Sequence, residues 1–189
     1  MSRPKAKRIV FVCTGNTCRS PMAEILLRKK LEEAGVSNVK VLSAGLQARK
    51  GDTINPLSKQ VLEEKGMDCG EFRATLLTDK ILKESFAIVC MTERQREIVM
   101  DMRWNALRKA GEEEIENNVY SFFEISGYEV YDPYGKGYDC YQYTFGLLDA
   151  GMSALIEKLE LVPKKKTESV KKKRGRPKKK INLEGEVEI

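Results

Sequence analysis

The run Cys13-Thr14-Gly15-Asn16-Thr17-Cys18-Arg19-Ser20-Pro21 constrains this chain more than any other stretch, because an apolar strand precedes it and an amphipathic helix follows. Ile9-Val10-Phe11-Val12 is β-branched and aromatic, the composition of a buried strand. Beyond the run, Ile25, Leu26, Leu27 and Leu31 fall at helical spacing, and Pro21 sits in a first turn where its missing N–H costs nothing. A strand that turns sharply into a helix aims successive backbone N–H groups and a helix N-terminus at one point. Such a turn binds a tetrahedral oxyanion. The same field favours a thiolate over a thiol at Cys13, which puts a nucleophile inside the anion site. Arg19, after five intervening residues, adds a planar guanidinium able to grip two oxygens.

The residues between Cys13 and Arg19 suit that chemistry. Gly15 permits a positive φ, Asn16 tolerates a left-handed backbone and can tie the loop with its amide, and Ser20 can donate a proton to the thiolate. A buried strand-end cysteine followed by an ordinary helix cap needs none of these. A phosphoryl–cysteine adduct also needs a proton donor for the leaving group and then a base for water, and one carboxylic acid can serve in turn. Asp132, held by the rigid Pro133 turn, is the candidate, with Tyr131 and Tyr134 expected to wall the cleft. Asp139 lies near but reads as the cap of the last helix. Histidine is absent, which excludes a histidine base and a Cys–His hydrolase within this chain. No Cys-x2-Cys pair occurs either, so neither metal nor cofactor is expected.

Val12 to Pro21 as a whole resembles the phosphate-binding loop of the low-molecular-weight protein tyrosine phosphatase family. Asp132-Pro133-Tyr134-Gly135 and Ser43-Ala44-Gly45 resemble two further elements of it, and the resemblance spans residues 7–162. It implies Cys13 as nucleophile, Arg19 as oxyanion binder and Asp132 as general acid. Thr14, Gly15, Asn16, Thr17, Cys18 and Ser20 would complete the phosphate-binding loop. Within the family the loop is similar to that of bacterial protein arginine phosphatases. Tyrosine-specific relatives commonly carry a branched aliphatic residue where Thr17 stands, and a guanidinium tolerates a hydroxyl better than a phenyl face does. Phosphoarginine in proteins is therefore the expected substrate. Tyr134 is a second selectivity position that also suits phosphotyrosine, so a tyrosine phosphatase remains the alternative.

Arsenate reduction on the same fold would need two further cysteines on a mobile segment. Cys90 falls near that region, but Glu97 stands where the second might be and Pro21 replaces a glutamine. Cys18 shares the loop with Cys13, so it is either a redox partner able to form a protective disulfide or a small packed hydrophobe. Cys69, Cys90 and Cys140 read as core or incidental thiols.

Alternating apolar runs place strands at Ile9–Cys13, Val39–Ser43, Phe86–Met91 and Val119–Phe122. Helices are expected at Pro21–Ala34, Pro56–Lys65, Asp79–Lys83, Glu93–Arg103 and Asp139–Leu161, with Thr92 and Gln95 as a capping box for the fourth. This is the pattern of an α/β domain with a doubly wound, four-stranded parallel sheet flanked by helices. Phosphate sites in such sheets lie beyond the C-terminal strand ends, where Cys13 falls.

At Pro163 the composition changes. Residues 163–189 carry eleven Lys and Arg against four Glu, while residues 1–162 carry 23 basic and 24 acidic groups. The overall charge of +6 thus belongs to a tail that reads as disordered, attached to a nearly neutral catalytic core. Within the tail, Lys171 to Lys180 resembles an AT-hook, whose Arg174-Gly175-Arg176-Pro177 core would enter an A·T-rich minor groove, although Lys173 replaces the usual proline. A plain polybasic segment that adheres to DNA or any other polyanion is the competing reading, and a DNA-binding protein on a phosphatase-like fold is the non-enzymatic alternative for the whole chain. No run reaches the length of a membrane span, no signal-peptide core follows the basic N-terminus, and five cysteines are expected to be reduced, all of which point to the cytoplasm.

Overall fold

The computed structural model describes residues 6–112, 116 and 118–162. The basic segment Lys171–Lys180 lies outside them. The chain runs β1 (Lys7–Cys13), α1 (Arg19–Glu33), β2 (Val39–Gly45), α2 (Pro56–Glu64), α3 (Asp79–Glu84), β3 (Ala87–Cys90), α4 (Glu93–Lys109), β4 (Val119–Ser121), α5 (Phe122–Ser126) and α6 (Tyr138–Lys158). The four strands are all parallel in the order β2-β1-β3-β4, the expected doubly wound sheet. The chain leaves β1 for β2 and then crosses back to β3, so the crevice at this reversal opens at the C-terminal end of β1.

Both faces of β1 are buried, as a central parallel strand requires. Ile9, Phe11 and Cys13 pack with Met22 and Leu26 of α1, Leu62 of α2, and Tyr141 and Leu148 of α6. Val10 and Val12 pack on the other face with Leu82 of α3, Ile88 and Cys90 of β3, and Val99 of α4. Helix α6 approaches α5 so closely that a Cβ on Gly151 would lie 2.6 Å from Phe122 Cε1. Among the described residues no helix is long and apolar enough to cross a membrane.

Several boundaries differ from the sequence expectation for local reasons. Helix α4 continues past Arg103 to Lys109, because Arg103 is buried and donates to the Leu82 and Ser85 carbonyls while Ala106 and Leu107 extend the apolar stripe. Strand β4 stops at Ser121, whose hydroxyl accepts from Glu124 N at 3.0 Å and starts α5, a short helix with no sequence expectation behind it. Asp139 does not cap α6: Gly137 is the cap residue, and Asp139 sits in the first turn, where its charge still complements the helix dipole. The capping box on α4 is half formed. Thr92 Oγ1 accepts from Gln95 N at 3.3 Å, but the Gln95 side chain reaches elsewhere.

One buried charge ties α1 to the sheet. Glu24 accepts from Ser43 Oγ at 2.5 Å and pairs with Arg28 one turn along its own helix. Burial pushes the Glu24 carboxyl up, against the opposing pull of the Ser43 hydroxyl and the Arg28 charge. The folded chain therefore holds this proton more tightly than the unfolded chain. Its contribution to stability is full below the ordinary carboxylate range and is lost as pH rises through the raised native value. Glu24→Gln cannot ionise, so wild type should lose stability relative to this variant as pH rises above the ordinary carboxylate range in urea unfolding. A gain over the same range would contradict the burial account.

Candidate active site

Cys13 ends β1 opposite Gly45 of β2, and the loop that follows folds back over the end of β2. Leu46 N donates to Cys13 O at 3.0 Å and Gln47 N to Thr14 O at 2.8 Å. A Cβ on Gly45 would lie 2.7 Å from Thr14 O and 2.8 Å from Asn16 N, so the loop can pack there only against glycine. That contact is the physical content of the Ser43-Ala44-Gly45 motif. Asn16, not Gly15, takes the left-handed backbone, with φ of 56°.

The Asn16 amide is fully buried and uses both of its ends. Its Nδ2 donates to Ser20 Oγ at 2.9 Å and to Ser43 Oγ at 2.8 Å, while Oδ1 accepts from Thr75 N at 2.7 Å. Ser43 in turn donates its hydroxyl hydrogen bond to Glu24. Both amide protons of Asn16 are thus committed, and the Ser20 hydroxyl faces two acceptors, Cys13 Sγ at 3.0 Å and the more distant Ala44 carbonyl at 3.5 Å. Asn16 N also points at that sulfur, at 3.3 Å. Two donors facing one sulfur suit an anion there.

Cys13 forms part of a cleft of about 370 Å³, together with Thr14, Gly15, Thr17, Cys18 and Arg19 of the loop and with Asp132 and Tyr134. Helix α1 starts at Arg19 with no side-chain cap, which leaves the N–H groups of Arg19 and Ser20 for an anion, since Pro21 has none and Met22 N donates to Cys18 O. Arg19 is buried, donates through Nη2 to Asp132 Oδ2 at 2.5 Å, and has an Nε with no hydrogen-bond partner. A buried guanidinium with an unspent donor at an oxyanion site is equipped to clamp phosphoryl oxygens. Asp132 is half-exposed, and its second oxygen accepts from Tyr134 N at 3.2 Å across the Pro133 turn. Tyr134 stands at the mouth. Tyr131 does not line the cleft: it stacks on Tyr143 with ring centroids 6.4 Å apart.

Thr17 reaches the cleft, and its carbonyl accepts from Asn55 N at 2.8 Å. Cys18 is buried beside Thr17 Oγ1 and Tyr141 Oη, at 3.6 and 3.7 Å. Burial pushes its thiol up, opposed by hydrogen bonds from Thr17 and Tyr141. All five cysteines are free thiols. Cys90 lies inside β3 with no exposed surface, and burial pushes its thiol far up, which suits a core residue and not a mobile relay. Among the described residues no group of His, Cys, Asp and Glu is arranged to hold a metal ion.

Gln95, which the sequence marks only as part of a helix cap, is also a site residue. Its buried Nε2 donates to Thr14 Oγ1 at 3.1 Å, bracing the loop from α4. Gln47, Arg49 and Asp52 also line the cleft and carry no local signal, because the segment after β2 brings them there.

A family model described as low molecular weight phosphotyrosine protein phosphatase matches residues 8–171. EpsP of Ralstonia nicotianae, a probable low molecular weight protein-tyrosine-phosphatase, is 31% identical over 153 residues, covering 81% of this chain and 96% of its own. A protein-arginine-phosphatase of Bacillus subtilis is 31% identical over 155 residues, covering 80% of this chain and 96% of its own. Among solved structures, the YwlE arginine phosphatase, in a cysteine-to-serine mutant with a phosphorylated active-site serine, is similar with a TM-score of 0.70. It is 29% identical and covers 81% of this chain and 95% of its own. The matched span holds every residue of the cleft, and the chain belongs to the low molecular weight phosphotyrosine protein phosphatase family.

Proposed function

We propose that this phosphatase hydrolyses phosphoarginine in proteins through a phosphocysteine on Cys13. The observation that carries this reading is one cleft holding a sulfur faced by two donors, a buried arginine with an unspent N–H, and a carboxylate. The Cys13 thiolate attacks phosphorus in line as the P–N bond breaks, and Asp132 gives its proton to the leaving nitrogen. Arg19 and the loop N–H groups hold the equatorial oxygens. Water then attacks the phosphocysteine, Asp132 takes a proton from it, and the P–S bond breaks to restore the thiolate. Ser20 and Asn16 support the sulfur, and Gln95 steadies Thr14.

Thr17 at the cleft wall and the similarity to proteins named arginine phosphatases favour phosphoarginine. The similarity to EpsP and the exposed Tyr134 ring keep phosphotyrosine as the second reading. Peptides of one sequence carrying either group decide between them. Wild type should show the higher kcat/KM on phosphoarginine, and Thr17→Ile should move the ratio toward phosphotyrosine by adding apolar surface for a ring. A wild type that prefers phosphotyrosine overturns the arginine reading. Cys13→Ser should abolish turnover, and Asp132→Asn should slow it on the order of 10²–10⁴-fold. Near-normal rates in either folded variant would sink the mechanism.

Two further roles belong to this proposal. Cys18 forms a disulfide with Cys13 after peroxide oxidises the nucleophile, protecting it from overoxidation. Recovery with dithiothreitol should then fail in Cys18→Ser, and equal recovery would count against it. The Lys171–Lys180 segment binds DNA or another polyanion without serving catalysis, since its charge lies outside the neutral core. Truncation after Leu161 should spare small-substrate hydrolysis and remove gel-shift retention, with A·T preference depending on Arg174 and Arg176. Equal retention of the truncated protein would reject the tail as the binding element. A reducing, cytoplasmic setting, which keeps a thiol nucleophile active, completes the reading, and recovery from a secreted fraction would contradict it.

A further inference from the structure

Two carboxylates line the cleft, and they differ in what they already hold. Asp132 has one oxygen on Arg19 and the other on Tyr134 N. The Asp52 side chain is exposed and forms no hydrogen bond or ion pair among the described residues. Arg49 shares this part of the rim, and its carbonyl accepts from Asp52 N at 3.2 Å, but the two side chains form no ion pair among the described residues.

Asp52 is nevertheless not on a swinging tip. Its carbonyl accepts from Ala74 N at 2.8 Å, its own N–H is taken by Arg49, and three residues on Asn55 N is fixed to Thr17 O. The segment carrying Asp52 is thus tied by hydrogen bond to Thr17, the proposed selectivity position. A fixed backbone under an unengaged carboxylate is a ready acceptor.

We propose that Asp52 is a substrate-selecting residue whose carboxylate accepts N–H groups from the guanidinium of a phosphoarginine seated on the loop. This inference rests on the arginine reading. With the phosphoryl group at Cys13 and Arg19, the rest of the substrate side chain passes Thr17 toward the mouth. A phosphoarginine presents planar N–H donors along that path, which a carboxylate pairs with well. A phosphotyrosine presents a ring whose face is electron-rich and offers a carboxylate nothing. Asp52 therefore both favours the guanidinium and disfavours the ring, while Thr17 acts on shape and polarity.

Steady-state kinetics on the full chain test this, using one peptide sequence carrying phosphoarginine or phosphotyrosine, with wild type, Asp52→Asn and Asp52→Lys. The ratio of kcat/KM for phosphoarginine over phosphotyrosine should fall about tenfold in Asp52→Asn, the size of one charge-assisted hydrogen bond, and further in Asp52→Lys. The loss should sit in KM for phosphoarginine. It should also shrink as added salt shortens the Debye length from about 10 Å to about 3 Å. A wild type that prefers phosphoarginine with the same ratio in both variants overturns the role of Asp52 and leaves the arginine reading standing. A fall in kcat shared equally by both substrates also overturns it, since that marks a structural role. A wild type that prefers phosphotyrosine removes both.

Discussion

The buried amide of Asn16 is the interaction on which the rest of the site depends. It joins the loop after β1 to Ser43 of β2, to Thr75 on the segment before α3, and to Ser20 at the start of α1. Those three pieces are far apart in sequence, and one side chain fixes their relative positions. The amide also constrains how its neighbours can hydrogen-bond. Glu24 accepts a hydrogen bond from Ser43, Asn16 donates both of its own amide protons, and the Ser20 hydroxyl faces the sulfur. An aspartate here could not donate, and an alanine would leave buried partners unsatisfied, which costs more than the missing bond alone. The left-handed backbone at Asn16 and the missing Cβ at Gly45 are what let the loop close on this arrangement.

Arg19 is the second constraint. Its guanidinium is almost wholly buried yet keeps one N–H without a partner, while another reaches Asp132. The proposed acid is thereby held over the same cleft as the sulfur by a group that would also grip the phosphoryl oxygens. Positioning and electrostatics come from one residue, which explains how a cleft lined largely by a single loop can serve a group transfer that demands both.

Much of this was legible in the sequence where the signal is local. The apolar run before Cys13, the helical spacing after Pro21 and the alternation of strands and helices are short-range patterns, and the sheet has the expected four parallel strands. Cys13, Arg19 and Asp132 do meet in one cleft. The misses are long-range. Tyr131 was expected at the cleft because it neighbours Asp132, but its ring stacks on Tyr143, a partner from α6 that only the tertiary fold supplies. Asp139 was expected to cap α6 because it precedes the apolar stripe, but Gly137 takes that place. Helix α4 was expected to end at Arg103, whereas that side chain is buried and donates through both terminal nitrogens to two carbonyls of the α3 region. Gln95, Arg49 and Asp52 join the site only through tertiary contacts, and no spacing rule reaches across 81 residues from Thr14 to Gln95.

The central claim is that the phosphoryl group passes through Cys13. A single-turnover reaction of Asp132→Asn with a phosphoarginine peptide, quenched in alkaline denaturant so that P–N and P–S bonds survive, and mapped by mass spectrometry, tests it directly. The account predicts a phosphoryl group on the peptide that contains Cys13, formed before arginine product exceeds one equivalent. Product release with no protein-bound phosphoryl group, or a phosphoryl group on any other residue, would contradict it.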